Sequence, residues 1–159
     1  MRIIKTLLIG LSLIILFHTS MAQDHNTALG LRVGYPSGIT AKHFFGKKSA
    51  LEGIVSFGWG GVGLTGLYEL HNEVSGTDGL NWYYGLGAHI ATAKADKHNP
   101  WENKSGDEFF LGADGIIGLE YTFKNAPINL SVDIMPIINV VESPGIWFNA
   151  GLSVRYAFK

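Results

Sequence analysis

The sequence predicts an all-β chain, an eight-stranded antiparallel up-and-down transmembrane β-barrel. Three observations lead there. Apolar and polar residues alternate with a period of two over almost the whole length after residue 22, the spacing that sends successive strand side chains to opposite faces. Glycine is abundant, 21 of 159 residues, and recurs inside the alternating segments, where it would weaken helices. One face of every segment is free of charge, while the other carries acids and bases among small polar residues.

Residues 1–22 stand apart as a secretory signal. Arg2 and Lys5 open it, residues 7–17 form an apolar run, and Ser20-Met21-Ala22 supplies a small-x-small cleavage site. The run is shorter than the ~20 residues a spanning helix needs. The expected division is a cleaved signal peptide, 1–22, and one barrel domain, 23–159. The whole chain has a formal net charge of −1, with 47% hydrophobic and 16% charged residues. That balance excludes disorder and offers no electrostatic footprint for nucleic acid. The absence of Cys excludes disulfides, thiolate metal sites and a Cys nucleophile.

The segments follow in order. The first, 28–35, sets Leu29, Leu31, Val33 and Tyr35 against Arg32, and Pro36-Ser37-Gly38 turns the chain. The second, 39–46, sets Ile39, Ala41, His43 and Phe45 against Lys42, and ends in Gly46-Lys47-Lys48-Ser49. The third, 50–59, runs from Leu51 to Trp59 on the apolar face with Glu52 opposite, and Gly60-Gly61 closes it. The fourth, 62–71, pairs an apolar face ending at Tyr68 and Leu70 with Glu69. Its opening, Gly61 to Gly66, spells G-x-G-x-x-G, but strand alternation continues where a dinucleotide site needs a helix, so no cofactor is expected.

The fifth segment, 81–93, follows the connection 72–80 and puts Trp82, Tyr84, Leu86 and Ile90 opposite His89. The sixth, 108–124, follows the longest connection, 94–107, and sets Phe109, Ile117, Tyr121 and Phe123 against Asp114 and Glu120. The seventh, 128–141, carries Asp133 on its polar face. Its Pro136 has no N–H for a ladder, which predicts a bulge or local weakening. The eighth, 147–158, sets Phe148, Leu152, Tyr156 and Phe158 against Arg155.

Of the 44 positions on the apolar face none is Asp, Glu, Lys or Arg, where chance placement would put about seven. A soluble lipocalin-like carrier would turn this face inward around an apolar ligand, and an outer-membrane barrel would turn it to lipid. The polar face is too sparsely charged for a water-exposed surface and is rich in Gly and small polar residues, as a crowded lumen requires. Aromatic residues cluster at segment ends: Tyr35, Phe57, Trp59, Phe109 and Phe148 toward one rim, Phe45, Tyr68, Trp82, Tyr84, Tyr121, Phe123, Tyr156 and Phe158 toward the other. Two girdles around an aliphatic band match the interfacial preference of such rings. With the chain entering from the periplasm, the long 94–107 connection lies outside the cell.

The closing segment Gly151-Leu152-Ser153-Val154-Arg155-Tyr156-Ala157-Phe158 is similar to the C-terminal signal read by the barrel-assembly machinery, with Lys159 following the aromatic at which that signal usually stops. Over nearly all of 23–159 the chain resembles the small eight-stranded outer-membrane barrels of Gram-negative bacteria, the class of OmpX and the OmpA membrane domain. The resemblance implies secretion through the periplasm, assembly by that machinery and contact with outer-membrane lipid. It implies no particular activity.

Eight strands leave a lumen just filled by side chains, so an open pore is not expected. Arg32, Lys42, Glu52, Glu69, Asp114, Glu120, Asp133 and Arg155 would share it. The expectation is a structural charge network, with a gated ion path or a proton-linked site as the sharper alternative. The expected role is structural or surface-interacting, without catalysis. No catalytic, cofactor-binding or metal-binding residues are assigned, because the five His after residue 22 have no local zinc-ligand spacing. His98 and Trp101 in the 94–107 loop are the candidate contact for an extracellular ligand. A lipid-modifying enzyme is the alternative: His89 with a Ser or Asp from another strand would serve it, and Pro136 would mark a lateral opening.

Overall fold

The computed structural model describes residues 26–58, 61–94, 107–141 and 144–158. Residues 1–22, together with His98 and Trp101, lie outside the described residues. The strands are β1 (Thr27–Gly34), β2 (Gly38–Phe44), β3 (Ser49–Gly58), β4 (Gly61–Glu73), β5 (Leu80–Lys94), β6 (Asp107–Thr122), β7 (Ile128–Asn139) and β8 (Gly145–Phe158). Each pairs antiparallel with the next, and β8 pairs with β1, giving a closed eight-stranded antiparallel barrel. This is the fold class the period-two pattern predicts.

Strand ends depart from the sequence reading where turns take over the backbone. β2 stops at Phe44 instead of Gly46 because the Phe45 N–H bonds the Ser49 carbonyl across the hairpin (2.8 Å). β6 stops at Thr122 instead of Lys124 because the Phe123 N–H bonds Ile128 (3.0 Å). The 72–80 connection is shorter than the alternation suggests, since β4 continues to Glu73 and the Val74 N–H bonds the Leu80 carbonyl (3.0 Å). Gly76 and Gly79, at φ of 88° and 85°, supply the left-handed backbone this turn uses.

Paired residues traced from Ala28 through Lys42, Glu52, Leu67, Gly87, Asp114 and Ile137 arrive at Trp147, whereas Ala28 itself pairs with Ala157. The strands are therefore staggered by ten residues per circuit, the offset that tilts them against the barrel axis. At Pro136 there is no bulge. The β6–β7 register is the same on both sides of it, and only the pairings of Gly115 and Ile116 with Pro136 and Met135 are missing. Proline removes ladder bonds without adding a residue, and Gly115 leaves room for the ring, whose Cγ would stand 3.0 Å from a Cβ there.

The apolar face points outward all round, with Leu31, Val55, Leu64, Leu86, Ile117, Ile134 and Leu152 exposed on it. This is the opposite of a soluble carrier's geometry. At the lower end, which holds the start of β1 and the end of β8, Trp82 stacks with Tyr84, and Tyr121 and Tyr156 meet Phe123 and Phe158 edge-on. The lumen is less polar than the alternation suggests. Ile54, Leu67, Tyr83, Ile116, Met135 and Ile137 form a buried apolar cluster inside it, with Trp147 packed against them. Inward positions here meet other side chains instead of water, so apolar residues are tolerated alongside paired charge.

Candidate functional site

The lower lumen is built around two cations. Lys42 Nζ on β2 lies 2.8 Å from Glu69 Oε2, 2.9 Å from Glu120 Oε2 and 3.3 Å from Glu52 Oε2, and 4.3 Å from the centre of the Tyr83 ring. Arg155 on β8 pairs with Glu52. It also donates through Nη1 to Ser131 (2.8 Å) and Asn129 (3.1 Å), and through Nε to Thr40 (3.3 Å). Thr40 in turn donates to Glu52. His71 Nε2 stands 3.0 Å from Glu69 Oε2 and its ring stacks on Tyr83 at 5.0 Å. All of these side chains are buried. A buried charge left alone costs several kcal/mol, so this cluster is held by mutual neutralisation.

Higher in the barrel Arg32 and Asp133 form a two-pronged pair, Nη1 to Oδ2 at 2.7 Å and Nη2 to Oδ1 at 2.6 Å. The Tyr83 hydroxyl donates to Asp133 (3.1 Å), and Arg32 Nε donates to the Pro36 carbonyl (3.1 Å), tying the β1–β2 turn to the lumen. Gly151 makes the pair possible: a Cβ there would stand 2.3 Å from the guanidinium carbon.

The upper end, which carries the β1–β2 turn, is organised differently. His89 Nδ1 donates to Asp114 Oδ1 at 2.7 Å, and Nε2 lies 2.8 Å from Asn139 Oδ1. A Cβ at Gly112 would come within 2.5 Å of the imidazole, so glycine clears the space the ring occupies. His89 and Asn139, but not Asp114, line an open cavity of about 80 Å³ together with Tyr35, Phe110, Ile137 and Ala91.

Of the eight charged residues read from the sequence, five meet in the lower cluster, two form the Arg32–Asp133 pair, and Asp114 stands apart with His89. Sequence reasoning did not single out His71, Tyr83 or Asn139, although each falls on the lumen side of its strand's alternation. Parity places them inside; only the register shows whom they meet. Among the described residues no group of three or more His, Asp or Glu is arranged to hold a metal ion. No helix among them is long and apolar enough to cross a membrane, which says nothing of strands.

No family model matches the sequence, and no curated protein does. Among solved structures the barrel is similar to the N-terminal β-barrel domain of Pseudomonas aeruginosa OprF. The match has 17% identity and a TM-score of 0.63, and covers 86% of this chain and 100% of that one. At that identity the likeness is one of fold, an eight-stranded antiparallel barrel shared between two otherwise divergent sequences.

Proposed function

We propose that this protein is an integral outer-membrane barrel with a side-chain-filled interior and a structural or surface-interacting role without catalysis. One observation carries the reading: an uncharged, exposed apolar exterior encloses eight buried charged side chains. Apolar exposure on this scale far exceeds what a soluble monomer leaves facing water, and lipid is the solvent that suits it. In this reading residues 1–22 direct secretion, the barrel-assembly machinery inserts the chain, and the upper end faces outside the cell. The 94–107 loop, with His98 and Trp101, is then the contact for an extracellular ligand.

The test is gel mobility of the detergent-extracted outer-membrane fraction with and without boiling. A folded band that shifts on heating is expected; recovery in the aqueous fraction without a shift would overturn the reading. A second reading, a lipid-modifying enzyme, is favoured by the His89–Asp114 pair, whose imidazole lines an open cavity. Unchanged lipid A composition in a His89→Ala strain would remove it.

A further inference from the structure

The lower cluster does not balance on its fixed charges. Glu52, Glu69 and Glu120 bring three carboxylates, whereas Lys42 and Arg155 bring two cations. The neighbouring Arg32–Asp133 pair is neutral as it stands and lends neither sign. None of these residues is more than 2% exposed. An excess charge in such a place is costly, and buried groups shed it by exchanging a proton. The network is one proton short of neutrality.

His71 stands where that proton belongs. Its Nε2 is 3.0 Å from Glu69 Oε2, and its Nδ1 is 3.7 Å from Glu120 Oε1. An ionised carboxylate only accepts, so the first contact requires a hydrogen on Nε2. In a neutral imidazole Nδ1 would then set a lone pair beside Glu120 Oε1, acceptor against acceptor. A second ring proton turns that opposition into an ion pair. Both atoms lack a hydrogen-bond partner among the described residues, and both are closed to water. What completes them is smaller than a water molecule.

Charged and aromatic groups face His71 from several strands. Lys42 and the edge of Phe44 come from β2, the stacked Tyr83 ring from β5 and Glu120 from β6, with Glu69 on its own strand. Glu52 on β3 and Arg155 on β8 complete the network around them. The facing carboxyls of Glu52 and Glu69 are the other place for a proton. The imidazole is favoured because it is a stronger base than a carboxylate, and because Glu52 is already held by Lys42, Arg155 and Thr40. Stacking on the Tyr83 ring also suits a cation.

We propose that the lower cluster binds one proton, carried by His71 between Glu69 and Glu120, and that the imidazolium is the third cation of a neutral network. The site belongs to the folded barrel, so its test does not depend on where the protein resides. The barrel, labelled with ¹⁵N in its histidine rings and ¹³C in its glutamate carboxyls, is refolded in detergent micelles at neutral pH. Both ring nitrogens of His71, assigned by their loss in His71→Gln, should show an attached proton by NMR.

Glu120→Gln removes the surplus acid and should leave His71 with a single ring proton. Glu52→Gln, which changes no atom touching the ring, should do the same and keeps the charge balance testable if the first variant does not fold. One protonated ring nitrogen beside a protonated glutamate in the unaltered barrel would place the proton on the carboxyl pair and overturn the assignment to His71. One protonated nitrogen with all three glutamates ionised would overturn the proton site altogether. An imidazolium persisting in the variants would show that the surplus acid does not hold it, which also overturns the proposal.

Discussion

The two ends of the lumen solve the problem of buried polarity differently. Below, Lys42 and Arg155 reach carboxylates on β3, β4 and β6, and each carboxylate oxygen without a hydrogen bond belongs to a group already ion-paired through its other oxygen. Above, one imidazole joins an acid and an amide beside open space, and a polar atom of each remains unused. The lower cluster draws two cations and three carboxylates into one network, whereas the upper trio rests on a single imidazole; each keeps buried polar atoms without a hydrogen bond, His71 Nδ1 below and Asn139 Nδ2 above among them. Buried polarity is thus met by many-partner ion pairing at one end and by a short hydrogen-bonded chain at the other.

Substitutions sharpen this contrast. The largest effect is expected from Lys42→Met, which leaves Glu52, Glu69 and Glu120 short of a cation. It should cost about 3–5 kcal/mol, read as a lowered urea midpoint of the micelle-refolded barrel. Arg32→Leu should cost nearly as much by stranding Asp133. The double variant Arg32→Leu with Asp133→Leu should recover part of the loss, because a stranded charge is worse than none. If the double variant were no better than the single one, the pair would matter through its fit to Tyr83 and Pro36, not its charge.

At the upper end Gly112→Ala should cost about 1–3 kcal/mol, since the new Cβ would meet the Ile138 carbonyl oxygen at 2.2 Å and the imidazole at 2.5 Å. The smallest effect belongs to the exposed Lys124–Asp78 contact across the lower turns. The hydrogen bond and charge of Lys124 hold the Asp78 carboxyl below its ordinary value. Whatever stability this adds is present above the unfolded-state value and lost as pH falls through the folded one. Lys124→Gln should return the Asp78 titration, followed by NMR, to the usual carboxylate range. Solvent screening makes a shift in the urea midpoint unexpected.

Strand number, strand faces and the inward placement of the eight charged residues from Arg32 to Arg155 were legible because a period of two is written locally. Partnership was not. Arg155 meets Glu52 across 103 positions, and His89 meets Asp114 across 25; both follow from a stagger that accumulates around the whole circuit and leaves no local trace. The apolar cluster of Ile54, Leu67, Ile116, Met135 and Ile137 was hidden for a related reason. Alternation distinguishes two faces, but it does not say that an enclosed face is dry. Pro136 showed the limit from the other side: its missing N–H predicted a weak place in the ladder, but only the unchanged register showed that no residue is inserted.

The position of Arg155 has a consequence for how the chain is made. It lies on the final strand, yet its contacts are on β2, β3, β6 and β7. A nascent sheet that has formed β2 and β3 but not β8 carries Glu52 without its guanidinium, turned toward an interior that is not yet enclosed. The last strand to arrive thus brings both the seam that joins the two edges and the second cation of the network around Glu52. Truncation before β8 would open the edge and at the same stroke leave Glu52 to Lys42 and Thr40 alone, so closing the barrel and completing its charge network are one event.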